Sequence, residues 1–474
     1  MKKKMKNILY AVIAVIIIIP SFVLPQEKGI EGIWLGSLKV SGINLRIVFH
    51  ITKAGEGSYK ATMDSPDQGA KDIPVEKVTF ADNMVKIEMP NIQGVYDGTL
   101  SAEGTKLNGT WTQAGRVFAL DLEKTEKPVV LNRPQEPKPP FPYNSEDVSY
   151  VNKTEGDTLA GTFTFPNEGG PFPAVLLITG SGPQNRDEEL LGHKPFLVLS
   201  DYLTKLGIAV LRVDDRGVGK STGSFKSATT ADFATDVLAG VEYLKTRNEV
   251  NKNEIGLIGH SEGGLIAPMV AVESPDVAFI VLMAGPGLPG DSILLMQQAL
   301  ISKAEGASQV DVAKAEVVNR KIYYIIKNEP DSIKAHNEIT EIFEKYYDSL
   351  PDSEKAKTGD KNTALKMLRQ VETPWFKYFI KYDPRPTLEK VKCPVLAIDG
   401  SNDLQVPPKE DLAAIKEALT KGGNKNFETI ELKGLNHLFQ TSTTGAPSEY
   451  NKIEETISPI TLKTIGDWIL KITK

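Results

Sequence analysis

Two periodicities divide this chain. Over residues 29–122 apolar side chains recur at every second position: Leu45, Ile47, Phe49 and Ile51 share one face, while Asn44, Arg46 and His50 lie on the other. Tyr59-x-Ala61-x-Met63, Val78-x-Phe80, Val85-x-Ile87-x-Met89, Leu107-x-Gly109-x-Trp111 and Phe118-x-Leu120-x-Leu122 repeat the pattern. Turn signals such as Ala54-Gly55-Glu56-Gly57 and Asp97-Gly98 separate them. Alternation of this kind marks strands with one buried face, and about eight at meander spacing predict a small, closed or nearly closed all-β barrel. Filling by its own side chains, as a spacer or docking module, is the expected state of its interior.

From residue 144 the pattern changes to unbroken apolar runs, as in strands buried on both faces. After two edge strands at 147–152 and 158–165, the runs at 174–178, 208–213, 254–258 and 277–284 alternate with helical spacing at 195–206 and 231–247. Further strand runs at 394–399 and 427–432 precede an amphipathic helix at 460–472. Strands alternating with helices predict an α/β domain, a doubly wound and mostly parallel sheet spanning 144–474. Residues 289–390 interrupt the alternation with charged, helical sequence and read as a cap over the carboxyl ends of the strands. Between the two domains, residues 123–143 hold Pro128, Pro134, Pro137, Pro139, Pro140 and Pro142, which favours an extended, semi-rigid linker. Residues 1–25 combine a lysine cluster with an apolar run and read as a secretory signal or an uncleaved N-terminal anchor, so the bulk is expected in the periplasm or outside the cell.

Chemistry concentrates where strands end. Gly259-His260-Ser261-Glu262-Gly263 fits G-x-S-x-G between a strand run and a small, apolar helix, the setting of a nucleophile elbow, which makes Ser261 the candidate nucleophile. A serine hydroxyl needs a base, usually an imidazole oriented by a carboxylate. Of the five histidines, His437 alone follows the last strand; His50 lies in the barrel, His193 before a helix, His336 in the cap, and His260 on the far side of the elbow. The preceding strand ends in Asp399-Gly400-Ser401-Asn402-Asp403, where Asp403 is the expected orienting acid and Asp399 is read as holding the turn. Oxyanion donors are expected at the backbone N–H of Glu262 and in the Thr179-Gly180-Ser181-Gly182 loop, from Ser181. Asp214-Asp215-Arg216-Gly217-Val218-Gly219-Lys220-Ser221 imitates a phosphate loop but has Asp214 where the first glycine belongs, so nucleotide binding is rejected.

The elbow, the Asp214-x-Arg216-Gly217-x-Gly219-x-Ser221 loop, the Gly400-x-x-Asp403 loop and Asn436-His437, in the order Ser261, Asp403, His437, resemble the α/β-hydrolases. More narrowly, Thr179-Gly180-Ser181-Gly182-Pro183-Gln184 with Arg186-Asp187-Glu188, and Pro374-Trp375-Phe376 in the cap, resemble bacterial exported esterases grouped with serine aminopeptidase-like hydrolases. Thr179 stands where that fold usually has histidine before the oxyanion glycine. The resemblance implies carboxylic-ester hydrolysis through an acyl-enzyme. Trp375 and Phe376 are candidate pocket aromatics, with packing of the cap onto the sheet the plainer reading, and Arg186 is a candidate anchor for a substrate carboxylate, with pairing to Asp187, Asp214 or Asp215 to hold loops the plainer reading. Two other readings stay open: a peptidase acting on short peptides, and a non-catalytic binding protein. The net charge of −6, with four lysines confined to the first six residues, argues against a nucleic-acid partner. One cysteine, Cys393, excludes an internal disulfide and a cysteine-based zinc site, and no motif calls for a metal or organic cofactor.

Overall fold

The computed structural model describes residues 29–473 apart from 41–42, 56, 69, 127–131, 352–354 and 356–360. The leader at residues 1–25 lies outside the described residues. Ten strands form the first unit: β1 (Gly32–Val40), β2 (Ile43–Gly55), β3 (Ser58–Ser65), β4 (Ala70–Pro74), β5 (Lys77–Ala81), β6 (Met84–Met89), β7 (Gly94–Leu100), β8 (Lys106–Gln113), β9 (Arg116–Ala119) and β10 (Leu122–Thr125). Eight of them close an antiparallel ring, in which β10 pairs with both β1 and β8; β4 and β9 pair with β3 and β8 outside it. The closing strand therefore runs past Leu122 into the stretch read as linker. Alternation delivers Ile47, Phe49, Ile51, Val85, Ile87 and Met89 to the interior, where Trp34, Tyr96 and Trp111 are also buried. Trp34 Nε1 donates to the Ile30 carbonyl at 2.8 Å and the Tyr96 hydroxyl to the Leu107 carbonyl at 3.1 Å, so the buried polar tips are satisfied. The barrel interior is packed with its own side chains.

The described part of the linker is stitched to the second unit. Arg133 donates to the carbonyls of Leu191, Gly192 and Ile453, and the Gln135 side chain bonds the backbone of Thr456 and Ile457. This holds the segment more firmly than proline content alone would.

In the second unit β11 (Tyr143–Val151), β12 (Thr158–Pro166), β13 (Phe172–Ile178), β14 (Ala209–Val213), β15 (Val250–His260), β16 (Val277–Met283), β17 (Val395–Gly400) and β18 (Phe427–Leu432) form one sheet. Its order is β11-β12-β14-β13-β15-β16-β17-β18, antiparallel only at the β11–β12 and β12–β14 pairs. Helices cover both faces. Leu176 and Ile178 join the core under helices Thr230–Thr246, Gly263–Glu273 and Pro408–Lys421, whereas Val175 and Leu177 face helices Pro195–Lys205 and Pro459–Ile472. Order reverses at β13, the switch point outside whose carboxyl end such sheets bind ligands. Helices Gly290–Ala304, Gln309–Asn328, Ser332–Ser349, Lys361–Leu368 and Pro374–Lys381 leave after β16 and return before β17. Their own small core of Ile322, Ile325, Ile326, Ile339 and Ile380 makes them a packed cap.

Candidate active site

β15 meets the helix Gly263–Glu273 in a turn so tight that Ser261 is left at φ 51°. A non-glycine residue there costs on the order of 1–3 kcal/mol and persists only where its surroundings hold it. Here the Ser261 N–H donates to the Met283 carbonyl at 2.8 Å, and the Ser261 carbonyl accepts from the Gly264 N–H at 2.8 Å. A Cβ at Gly259 would fall 2.0 Å from the Gly263 carbonyl oxygen, and one at Gly263 would fall 2.3 Å from that of Ile178. Both flanking glycines are required by close backbone approach.

His437 and Asp403 meet beside His260, the residue before Ser261. His437 Nδ1 lies 2.6 Å from Asp403 Oδ2, with both side chains buried. The other carboxylate oxygen, Oδ1, accepts the N–H groups of Gln405 at 2.7 Å and Val406 at 2.9 Å, so the carboxylate is fixed on both sides. Asn436, fully buried, shapes the histidine turn by accepting from the N–H groups of Leu438 and Gln440. The two loops interlock, because the Asn402 N–H donates to the Leu435 carbonyl at 2.9 Å. Asp399 bonds the turn through Gly400 N–H at 2.7 Å, while its Oδ2 is buried without a partner. Burial, and then the Asp403 charge beside it, hold the Asp399 carboxyl well above the usual range. Burial also pushes the Asp411 carboxyl up to about 7.

Ser181, Ser261 and Glu262 line one cleft together with Pro286, Ile293, Leu294, Gln297, Trp375, Phe379, Gln405 and Val406. The Glu262 side chain turns into the protein, accepting from the Thr230 hydroxyl and from Trp375 Nε1, each at 2.7 Å. Burial raises its pKa against those two bonds. Trp375 thus reaches from the cap to the residue after Ser261. Phe376, expected beside it, does not line the cleft: on helix Pro374–Lys381 Trp375 and Phe379 lie four residues apart on one face, and Phe376 turns into the cap core against Tyr323. Arg186 also lies elsewhere. Its guanidinium is held by Asp214 at 2.8 Å and by Asp147 and Thr162 at 3.0 and 2.8 Å, which makes it a loop clamp, the plainer of its two readings, and not a substrate anchor.

The remaining histidines are engaged. His50 faces Asp64 in the barrel and His336 faces Glu372 in the cap. His193 is buried against the Tyr450 carbonyl and Thr456, and burial drives its pKa down to about 4. His260, read as facing away, has its ring centroid 4.9 Å from that of His437 and bonds Glu188. Glu188 was legible only as the end of Arg186-Asp187-Glu188, with nothing in the pattern to show its partner. Among the described residues no group of three or more histidine, cysteine, aspartate or glutamate side chains is arranged to hold a metal ion.

A sheet reversing at β13, a strained serine turn after β15, and acid and histidine loops after β17 and β18 define an enzyme of the α/β-hydrolase class. Within it the chain belongs to the family described as X-Pro dipeptidyl-peptidase (S15 family), whose model matches residues 155–432. It is 26% identical over 314 residues to the esterase EstD of Thermotoga maritima, a match covering 66% of each chain. To the Bacillus subtilis protein YtaP it is 33% identical over 114 residues, which cover 21% of this chain and 38% of YtaP. Among solved structures, the Pyrococcus furiosus esterase Pf2001 is 18% identical with a TM-score of 0.41, over 69% of this chain and 93% of that one.

Proposed function

We propose that this protein is a serine hydrolase that cleaves carboxylic esters through an acyl-enzyme. The observation that carries the reading is the buried 2.6 Å contact of His437 Nδ1 with Asp403, together with the 2.9 Å contact between the His437 carbonyl and His260 Nε2, on the residue before Ser261. In the proposed reaction Ser261 Oγ attacks the acyl carbonyl and His437 Nε2 takes its proton. Asp403 keeps the imidazole proton on Nδ1, which leaves Nε2 free to accept. The oxyanion is received by the backbone N–H of Glu262 and by the Ser181 turn, and one such donor contributes roughly 2.7–4 kcal/mol to lowering the barrier. Collapse expels the alcohol, which recovers the proton from His437; water then repeats the sequence on the acyl-enzyme.

A second reading, hydrolysis of short peptides, is favoured by the family match. A terminus-directed peptidase needs a charged anchor near its nucleophile. Among the described residues lining the Ser261 cleft the one ionisable acid or base is Glu262, already engaged by Thr230 and Trp375, which favours an uncharged ester. The lysine-rich, apolar leader supports an exported enzyme acting in the periplasm or beyond, on a small ester rather than a nucleic acid.

Labelling with a fluorophosphonate probe, alongside p-nitrophenyl esters and X-Pro p-nitroanilides, tests the proposal. Ser261→Ala is expected to abolish labelling and to lower kcat by about a millionfold while folding normally, because the hydroxyl contributes little to the core. Ester turnover within about tenfold of the parent protein would remove Ser261 from the mechanism. Faster cleavage of the anilides than the esters would establish the peptidase reading instead.

A further inference from the structure

His260 and Glu188 lie outside the proposed triad yet are buried more deeply than Ser261, at 6% and 5% exposure. They complete an unbroken hydrogen-bonded chain. The Gly180 N–H donates to Glu188 Oε1 at 2.7 Å; the same oxygen faces His260 Nδ1 at 2.9 Å; and His260 Nε2 lies 2.9 Å from the His437 carbonyl. From there the His437 ring continues the chain to Asp403. A Cβ at Gly180 would sit 3.2 Å from Ser261 Cβ, so the turn at the head of the chain packs directly on the nucleophile.

The partners dictate the protons. A carbonyl only accepts, so His260 Nε2 carries hydrogen. Glu188 Oε1 already receives an N–H, and without a second proton between it and Nδ1 two lone pairs would face each other at 2.9 Å. We propose that His260 and Glu188 form a buried imidazolium–carboxylate brace that fixes the Gly180 turn and the His437 loop relative to Ser261, making both of them positioning residues. The inference rests on the reading of Ser261 and His437 as nucleophile and base. Burial opposes the charged ring, but the Glu188 charge and hydrogen bond, the His437 carbonyl and the Asp403 charge together raise His260 above the ordinary histidine range. The groups facing the pair are Gly180 and Glu188 from the loop after β13, Asp403 from the loop after β17, and His437 and Phe439 from the loop after β18; Asp215, after β14, lies within reach of the Glu188 charge.

The brace explains why the residue before the nucleophile is histidine. Two loops from opposite sides of the elbow strand must be held in register with a serine that the strand itself places. One ring with two opposed donors spans them, and its charge is neutralised locally by Glu188.

Imidazole nitrogen NMR on the full-length protein tests the proton assignment without any substitution. His260 is expected to show both ring nitrogens protonated at pH 7; a neutral ring at pH 7 overturns the brace. In kinetics, Glu188→Ala and His260→Ala are each expected to lower kcat by about a hundredfold, the order of loss that misplacement by an ångström produces. KM should stay within about threefold, because ground-state binding is not what the brace supplies. The double variant should lose no more than the worse single, since parts that act as a unit are not additive. Glu188→Gln, which keeps an acceptor for Gly180 but not the charge, should fall between parent and Glu188→Ala. Additive losses, or losses confined to KM, refute the positioning role. Fluorophosphonate labelling of Ser261 tests the parent reading separately, since the NMR signature does not depend on catalysis.

Discussion

Asp403→Asn gives the sharpest test of the site because the structure dictates how the amide would sit. Asp403 Oδ1 accepts two backbone N–H groups, from Gln405 at 2.7 Å and Val406 at 2.9 Å. An asparagine must therefore leave its carbonyl oxygen there, and its NH2 then points at His437 Nδ1 in place of the carboxylate oxygen now 2.6 Å away. An NH2 only donates, so it selects the tautomer with the proton on Nε2. That tautomer has no lone pair for the Ser261 proton. The expected loss in kcat is about ten-thousandfold, equivalent to roughly 5.4 kcal/mol of transition-state stabilisation. Both loop N–H bonds survive, so the melting temperature should change little.

Asp399→Asn is the control. Burial and the Asp403 charge raise its carboxyl well above the usual range, and an uncharged amide keeps an oxygen for the Gly400 N–H. Its kcat should stay within about threefold of the parent, since no transition-state contact is removed. The assay is steady-state ester hydrolysis with parallel thermal melts. If Asp399→Asn is the inactive variant, or if Asp403→Asn keeps activity within about tenfold, the tautomer argument fails and Asp403 is not the orienting acid.

Stability should depend on pH through Asp411, whose carboxyl is pushed up to about 7 in the folded protein. The folded state then binds an extra proton between about pH 4 and pH 7, so this contribution is fully present below about pH 4 and is lost as pH rises through about 7, with a slope of up to about 1.4 kcal/mol per unit. Urea melts at pH 5 and pH 8 should show a smaller decline for Asp411→Asn than for the parent; parallel declines would count against the buried acid. Trp375→Ala should change relative rates across p-nitrophenyl acetate, butyrate and octanoate by opening the cleft wall beside Glu262, and an unchanged ratio would remove Trp375 from substrate choice. Phe376→Ala, which touches the cap core, should lower stability and leave the ratio unchanged.

What the sequence discloses is what depends on near neighbours. Buried parallel strands appear as apolar runs because both faces are covered, and the elbow appears as glycines because Gly259 and Gly263 meet backbone within a few residues or across one strand. Asp403 and His437 could be chosen because each loop follows a recognisable strand. Where the outcome turned on partners distant in sequence, the pattern was silent. Arg186 could be paired with Asp214, 28 residues on in the loop after the next strand, but nothing in the pattern pointed to Asp147, 39 residues before it, and folding brings both to its guanidinium. Phe376 was separable in principle, since helical spacing sets Trp375 with Phe379 and turns the intervening ring elsewhere.

His260 marks the limit most clearly. Its partners lie 72 residues before it and 177 after it, and each is unremarkable in its own stretch: one glutamate in a charged loop, one backbone carbonyl. A carbonyl leaves no trace in side-chain patterns, so no reading of residue types could have found the bond that joins the elbow to the histidine loop. Strands can therefore announce where a candidate nucleophile, acid and base stand, while the contacts that hold their loops in mutual register run through backbone groups and appear only in the folded chain. Residues of that second kind, here Glu188 and His260, are where substitutions remote from the substrate are expected to lower kcat.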